Sequence, residues 1–284
     1  MKSAHGTPLN DRIRHFYDSS TAIWLNTWGE HMHHGFYGHT GTAQKDHKQA
    51  QLDLVDELLQ WGGPDKAQVI LDAGCGVGGS ARILARTYGA QVLGLTLSPV
   101  QAEQSVQYTK KAGLSGHVRV RVQDVMSVNH SDGPFDLVWS LESAEHIPDK
   151  QKLLNVFFDA LKPGGKLLMA TWCHRDTPPE LTEKEQQLLQ KIYKHYHLPP
   201  MISIAEYRQM ASDAGFQEVQ TADWSVAVAP FWGAVIDSAL QWRNIAGLLR
   251  SGRQAIGGAW AMQYMTKGYR MGTIKFGVLQ GQKP

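Results

Sequence analysis

The sequence predicts an α/β fold: a doubly wound, seven-stranded, mostly parallel sheet, with a helical lid at the N-terminus and a cap inserted late in the chain. Three observations predict it. From Val69 onward, short apolar runs alternate with helix-length stretches, the pattern of parallel strands joined by crossover helices. A glycine-rich turn from Gly74 to Gly79 follows the first run and opens a helix. The 284 residues, 42% of them hydrophobic, are ample for one large core, so the simplest organisation is one domain over 1–284. Within it, 1–45 reads as the lid, 173–210 as the cap and 224–270 as a helical pocket region.

The elements follow in order. Arg12 to Gly38 is rich in aromatic residues and histidine. Asp46 to Trp61 is an amphipathic helix with Leu52, Val55, Leu58 and Leu59 on one face, ended by Gly62-Gly63-Pro64. Val69-Ile70-Leu71 is the first buried strand, and the helix after the glycine turn runs through Ile83 and Leu84. Gln91 to Thr96 is the second strand. Ser98-Pro99-Val100-Gln101 then starts a helix: Ser98 caps, Pro99 suits the first helical position, and Gln101 sits where a capping-box partner belongs. Gly113 closes it. Val118 to Val122 and Phe135 to Ser140 are strands three and four. A helix from about Lys150 to Leu161, a turn at Lys162-Pro163-Gly164-Gly165 and a fifth strand from Lys166 to Thr171 come next.

Cys173 to Pro200 breaks the alternation, with Pro178-Pro179, a capping box at Thr182 and Glu185, and a helix ending near Pro199-Pro200. Ser203 with Glu206 starts another helix that Gly215 ends, and Gln217 to Asp223 is a sixth strand. Phe231 to Arg250 and Gln254 to Tyr269 read as helices, and Thr273 to Leu279 as a seventh strand.

Composition excludes several function classes. A net charge of +2, with basic residues no more clustered than pairs such as Lys110-Lys111, leaves no footprint for nucleic acid. Two cysteines far apart, Cys75 and Cys173, fit a reducing compartment and no disulfide framework. Met1 to Asn10 has no apolar core of a signal peptide. The longest apolar run, Val226 to Ile236, contains Pro230 and falls short of the ~20 residues that span a bilayer. The expected location is cytoplasmic or peripheral to a membrane. The oligomeric state is not legible.

The glycine loop, Asp72-Ala73-Gly74-Cys75-Gly76-Val77-Gly78-Gly79, needs glycines so that a ligand can approach the backbone. By itself it also satisfies the dinucleotide pattern through Gly74, Gly76 and Gly79. Two features separate the readings. Asp72 ends the first strand, where it would face the ammonium of a methionine moiety and repel a pyrophosphate. The second strand, Val92-Leu93-Gly94-Leu95-Thr96-Leu97-Ser98, lacks the ribose-binding acid a dehydrogenase expects. Neutral groups must hold the ribose, and Thr96 and Gln101 are the candidates.

The arrangement resembles class I S-adenosylmethionine methyltransferases, a Rossmann-like class. Motif I matches as Asp72-x-Gly74-x-Gly76-x-Gly78, and Leu161-Lys162-Pro163-Gly164-Gly165-Lys166 matches the turn before strand five. The resemblance implies S-adenosyl-L-methionine as cofactor, Asp124 at the adenine amino group, and Val125 and Ser140 in the cofactor-binding set. Gly94 to Ser98, with Gln101, resembles the branch that includes cyclopropane synthases.

Three further stretches resemble γ-tocopherol methyltransferases. They are Phe16 to Ser20 with Trp24 and Trp28 to Tyr37; Trp139 to Pro148; and Ala170 to Arg175, joined downstream by Ala222 to Trp232. The likeness covers nearly the whole chain. It implies methylation of a ring carbon on a hydrophobic phenol. Plant relatives that methylate alkaloid nitrogen supply the alternative, an N- or O-methyltransferase on the same scaffold. It also implies that Tyr17 closes over the donor.

A phenol ring carbon becomes a good nucleophile when its hydroxyl loses a proton, so a general base is expected nearby. His146 is the first candidate, with Glu142 orienting the acceptor and Glu145 steadying His146. A purely structural role is the alternative, His146 capping the helix after Ile147-Pro148. His33, His34, Trp224, Phe231 and Trp232, with Trp242 beyond them, are expected to line the acceptor pocket; ordinary core packing is the alternative for the tryptophans. The cluster His31, His33, His34 and His39 invites a metal reading, but no metal is expected. A dehydrogenase and a non-catalytic S-adenosylmethionine-binding protein are the competing classes. The acid-free second strand opposes the first, and the Glu142, Glu145 and His146 set opposes the second.

Overall fold

The computed structural model describes residues 9–129, 131–240 and 262–284. Its centre is one seven-stranded sheet of order β3-β2-β1-β4-β5-β7-β6. The strands are β1 (Val69–Ala73), β2 (Gln91–Thr96), β3 (Val118–Val122), β4 (Phe135–Leu141), β5 (Leu161–His174), β6 (Gln217–Asp223) and β7 (Ile274–Gln282). β1 to β5 pair in parallel, and β7 runs antiparallel between β5 and β6. The chain leaves β1 toward β2 and β3, then returns to the other side of β1 as β4. That reversal is the switch point at which doubly wound sheets open a crevice beyond the strand carboxyl ends.

The inner parallel strands β1, β2 and β4 are buried on both faces, and alternation sorts their side chains. Ile70 joins a cluster with Leu54 and Leu58 of α2 (His47–Gly62) and Leu84 of α3 (Gly79–Tyr88). Leu71 points to the opposite cluster, with Leu153, Leu154 and Phe157 of α5 (Lys150–Ala160) and Tyr207 of α7 (Ile204–Asp213). The expected helix starts are realised. Asp46 caps α2, Ser98 caps α4 (Pro99–Lys111) with Pro99 in its first turn, and full capping boxes open α6 (Glu183–Tyr196) and α7. The Gln101 side chain does not close a box at Ser98. Its Oε1 accepts from the Thr96 hydroxyl at 2.8 Å instead.

Two boundaries, both in β5, differ from the expectation. The stretch Lys162 to Gly165 lies within β5 as an irregularity, because the β4 partner jumps from Phe135↔Leu161 to Leu137↔Lys166. β5 itself runs on to His174, since β7 pairs along it from Lys166↔Gln282 to His174↔Ile274. Of the helix expected over Phe231 to Arg250, α9 (Phe231–Leu240) is described, after a short α8 (Ser225–Val228). Of Gln254 to Tyr269, the described part belongs to a helix over 262–271, labelled α10, and Trp242 lies outside the described residues. The N-terminal segment contributes α1 (Leu9–Thr27). Among the described residues no helix is long and apolar enough to cross a membrane.

Candidate active site

A cavity enclosing about 1020 Å³ opens at the carboxyl ends of β1, β2 and β4. The glycine loop forms its floor through Gly74, Cys75, Gly76 and Gly79. Thr96 and Gln101 wall one side, Asp124 and Val125 another, and Glu142, Ser143, Ala144 and His146 a third. Ile13 and Tyr17 of α1 and the loop from Glu30 to His33 complete the wall. Gln51 of α2 fixes that loop by donating to the carbonyls of His31 and His33.

Two observations test whether S-adenosylmethionine fits. Asp72 is buried, and its Oδ2 has no hydrogen-bond partner among the described residues. Burial pushes this carboxyl up to about 7, against the opposing pull of the Ala81 amide and Arg82. A buried, half-satisfied carboxyl on a cavity wall matches the ammonium of an amino acid. At Gly76, with φ +52°, a Cβ would meet nothing within 4 Å, so the loop leaves an open cradle on the cavity side. Thr96 and Gln101, hydrogen-bonded to each other, present only neutral groups where a ribose would lie. The Asp124 side chain accepts from Met126 N and from Asn10 Nδ2, the latter at 2.6 Å from α1. The residues fit the cofactor.

Two residues expected at the cofactor do not line the cavity. Gly78 is the N-cap of α3, and a Cβ there would meet Ser105 Oγ at 2.2 Å, so this glycine serves close packing of α3 on α4. Ser140 is fully buried beneath the wall, its hydroxyl 2.9 Å from that of Ser143, which does line it.

A second cavity of about 450 Å³ shares Tyr17, Met32, His33, Glu142 and His146 with the first. The rest of its wall is aromatic: Trp28, His34, Trp172, Tyr196, Phe231 and Trp232, with Glu145. His34 and Trp232 ring centroids lie 5.0 Å apart, edge to face, and Trp172 meets Tyr196 at 5.2 Å in the same manner. Phe231 and Trp232 thus line this second cavity. Trp224 does not. It packs against Phe36 and Trp61 on the far side of the loop, in the core.

The charged residues pair differently from the expectation. Glu142 has φ +50°, unusual for a residue with a side chain, and is held there by Glu142 N donating to Ala170 O at 2.8 Å. Its Oε1 accepts from His34 N at 2.6 Å, and its Oε2 from His34 Nδ1 at 2.9 Å and Trp172 Nε1 at 2.8 Å. Burial raises the Glu142 pKa, but His34 and its hydrogen bonds outweigh this and hold the group as a carboxylate. Three of its acceptor positions are thus filled by the protein, and the groups it orients in this structure are His34 and Trp172.

Glu145 does not steady His146. Its Oε2 accepts from Thr171 at 2.8 Å, and burial raises its pKa to about 8, so it stands as a neutral acid. The partner of His146 is Tyr17, whose hydroxyl lies 2.9 Å from His146 Nε2. Burial lowers the His146 pKa to about 3, with Lys150 adding to the effect, and its Nδ1 is buried without a hydrogen-bond partner among the described residues.

The other histidines disperse. His31 Nδ1 lies 3.1 Å from His33 Nε2, while His39 is exposed and pairs with Glu57. Among the described residues no group of three or more His, Cys, Asp or Glu is arranged for a metal. Sequence reasoning missed Tyr269, whose hydroxyl lies 3.1 Å from His34 Nε2 across 235 positions. Trp172 and Tyr196 were equally unassigned. Trp172 lies inside a family-like stretch, which is the one signal that pointed to it.

The chain is similar over most of its length to known proteins. The family described as mycolic acid cyclopropane synthetase matches residues 5–230. The chain is 41% identical to the chloroplastic tocopherol O-methyltransferase of Arabidopsis thaliana, over 97% of this chain and 83% of that one. It is 35% identical to the 2-methyl-6-phytyl-1,4-hydroquinone methyltransferase of Synechocystis, over 82% and 74%. Among solved structures, the cyclopropane synthase MmaA2 of Mycobacterium tuberculosis superposes with a TM-score of 0.83 at 20% identity, covering 98% of this chain and 99% of that one, a likeness of fold.

Proposed function

The chain belongs to the γ-tocopherol methyltransferase-like family of class I S-adenosylmethionine-dependent methyltransferases, and we propose that its acceptor is a hydrophobic phenol of the tocopherol type, methylated on a ring carbon. The carrying observation is the aromatic cavity that shares five wall residues with the cofactor cavity. An acceptor ring lodged among Trp172, Phe231 and Trp232 would face whatever occupies the first cavity across Tyr17, Met32 and His33.

When bound, S-adenosylmethionine supplies an electrophilic methyl group on a sulfonium. The chain's own residues supply position and dryness. Asp72 holds the ammonium, the backbone around Gly76 cradles the amino-acid end, Thr96 and Gln101 take the ribose, and Asp124 with Val125 takes the adenine. Tyr17, bonded to the neutral His146, fastens α1 across the junction of the two cavities and keeps water out. In this reading residues 1–45 are the lid and 173–210 the cap of one domain.

The test is an assay with labelled S-adenosylmethionine against γ- and δ-tocopherol, other phenolic quinols and indole alkaloids, with the site of methylation determined. A new ring-carbon methyl on a tocopherol supports the reading. Transfer to nitrogen or oxygen alone overturns it.

A further inference from the structure

We propose that His34, oriented by Glu142, is the group that takes the proton from the acceptor's ring hydroxyl. The inference rests on the phenolic reading of the acceptor and adds the identity of its base.

Hydrogen-bond capacity separates the side chains on the wall of the second cavity. Neutral imidazole has one donor and one acceptor nitrogen, and the bond made by one fixes the role of the other. His34 Nδ1 must donate, because its partner is the Glu142 carboxylate at 2.9 Å. Nε2 is therefore the proton-accepting atom. The negative charge of Glu142 favours the imidazolium that would form, the relation found in hydrolytic triads. Glu142 is itself locked by the His34 amide and Trp172 Nε1, so the ring is held in one orientation beside the second cavity.

The other candidates are committed elsewhere. His33 is engaged at both nitrogens, with His34 O at 2.8 Å and His31 Nδ1 at 3.1 Å. His146 meets a tyrosine hydroxyl at Nε2, as His34 does, but among the described residues no carboxylate stands at its Nδ1, so nothing there would stabilise the proton it took. Glu145 is turned to Thr171. At His34 Nε2 the partner is the Tyr269 hydroxyl at 3.1 Å, a neutral contact that an acceptor hydroxyl can replace like for like.

The step balances. The acceptor O–H bond breaks and an Nε2–H bond forms, while the electron pair stays on oxygen and is shared with the ring carbon. After the carbon has gained its methyl and lost its own proton to water, the Nε2 proton returns to oxygen. The dyad ends as it began, and one proton leaves overall.

The experiment compares wild type with His34→Gln on phenols of one skeleton whose ring substituents grade the hydroxyl from weakly acidic to already ionised at the assay pH. The expected loss of kcat is about 10²–10⁴-fold for the weakest acids, shrinking toward none for ionised nitrophenols. An equal loss across the series marks a merely structural residue and overturns the proposal.

A second readout needs no turnover. Bound without cofactor, 2,6-dimethyl-4-nitrophenol should show a raised phenolate absorbance on wild type and not on His34→Gln. Equal phenolate on both overturns the proposal. Should His34→Gln fail to fold, Tyr269→Phe reads the same point, because freeing Nε2 should raise the bound phenolate fraction. A fall overturns the proposal. Should wild type methylate no phenol, the acceptor reading fails and the absorbance measurement still decides the role of His34.

Discussion

The Tyr17 hydroxyl lies 2.9 Å from His146 Nε2, joining α1 to the turn after β4 across 129 positions of sequence. The contact is part-buried, and desolvation holds the imidazole neutral and the phenol protonated. The bond is therefore one between neutral partners, and it closes the wall shared by the two cavities.

Tyr17→Phe keeps the ring and removes the bond, leaving His146 with no partner at either nitrogen. An unsatisfied buried group costs about 1–3 kcal/mol. The expected outcome is about tenfold faster release of S-adenosylmethionine, since each 1.4 kcal/mol is about a factor of ten. Stopped-flow displacement checks it, and an unchanged off-rate contradicts the fastening role.

Asp72 gives a pH dependence whose sign can be worked out. Its pKa of about 7 in the cofactor-free protein exceeds the ordinary aspartate value. The folded state thus binds its proton more tightly than the unfolded state. This contribution to stability is present below the unfolded pKa and is lost as pH rises through about 7. Asp72→Asn should melt higher than wild type at pH 8 without cofactor, the gap closing near pH 4. The ammonium of the cofactor needs the ionised carboxylate, so wild-type affinity should fall as pH drops below about 7, and Asp72→Asn should bind weakly with no such slope. Scanning calorimetry from about pH 4 to 8 and titration calorimetry across about pH 6–8 measure the two effects.

Gly76 and Gly89 both have positive φ and open space where a Cβ would go, but Gly76 alone faces the cavity. Each change to alanine should cost about 1 kcal/mol of stability for the left-handed backbone. Gly76→Ala should in addition weaken S-adenosylmethionine binding at least tenfold, because its methyl fills the cradle, while Gly89→Ala leaves affinity unchanged. Equal affinities would remove Gly76 from the cofactor site.

Trp232 and Trp224 separate pocket from core. Trp232→Ala should lower kcat/KM for the acceptor while leaving cofactor affinity intact, and should cost about 3–5 kcal/mol of stability. Trp224→Phe should cost stability alone, about 1 kcal/mol or more, with the acceptor KM unmoved. A raised acceptor KM in Trp224→Phe would return that residue to the pocket.

Much of the scaffold was legible in the chain because its signals are local. Strand periodicity placed β2, β3 and β6 to the residue, and Ser98, Thr182 and Ser203 announced their helices through caps that act within four positions. The glycine loop was ambiguous alone. The acid-free end of β2 at Thr96 resolved it, again through residues whose register a strand fixes.

The partners within the site were decided by tertiary structure. Glu145 and His146 are chain neighbours, yet in the turn after β4 one faces Thr171 and the other Tyr17. Trp224 and Trp232 share one motif, but the turn through α8 sends one to the core and the other to the cavity. Tyr269 meets His34 only because α10 precedes β7, which pairs antiparallel with β5 and brings the last described segment back into the sheet between β5 and β6. By itself the sequence determined the sheet, the cofactor loop and the family. The hydrogen-bond partners of Glu142, His34 and His146 were set by contacts between segments distant in the chain, which no local pattern encodes.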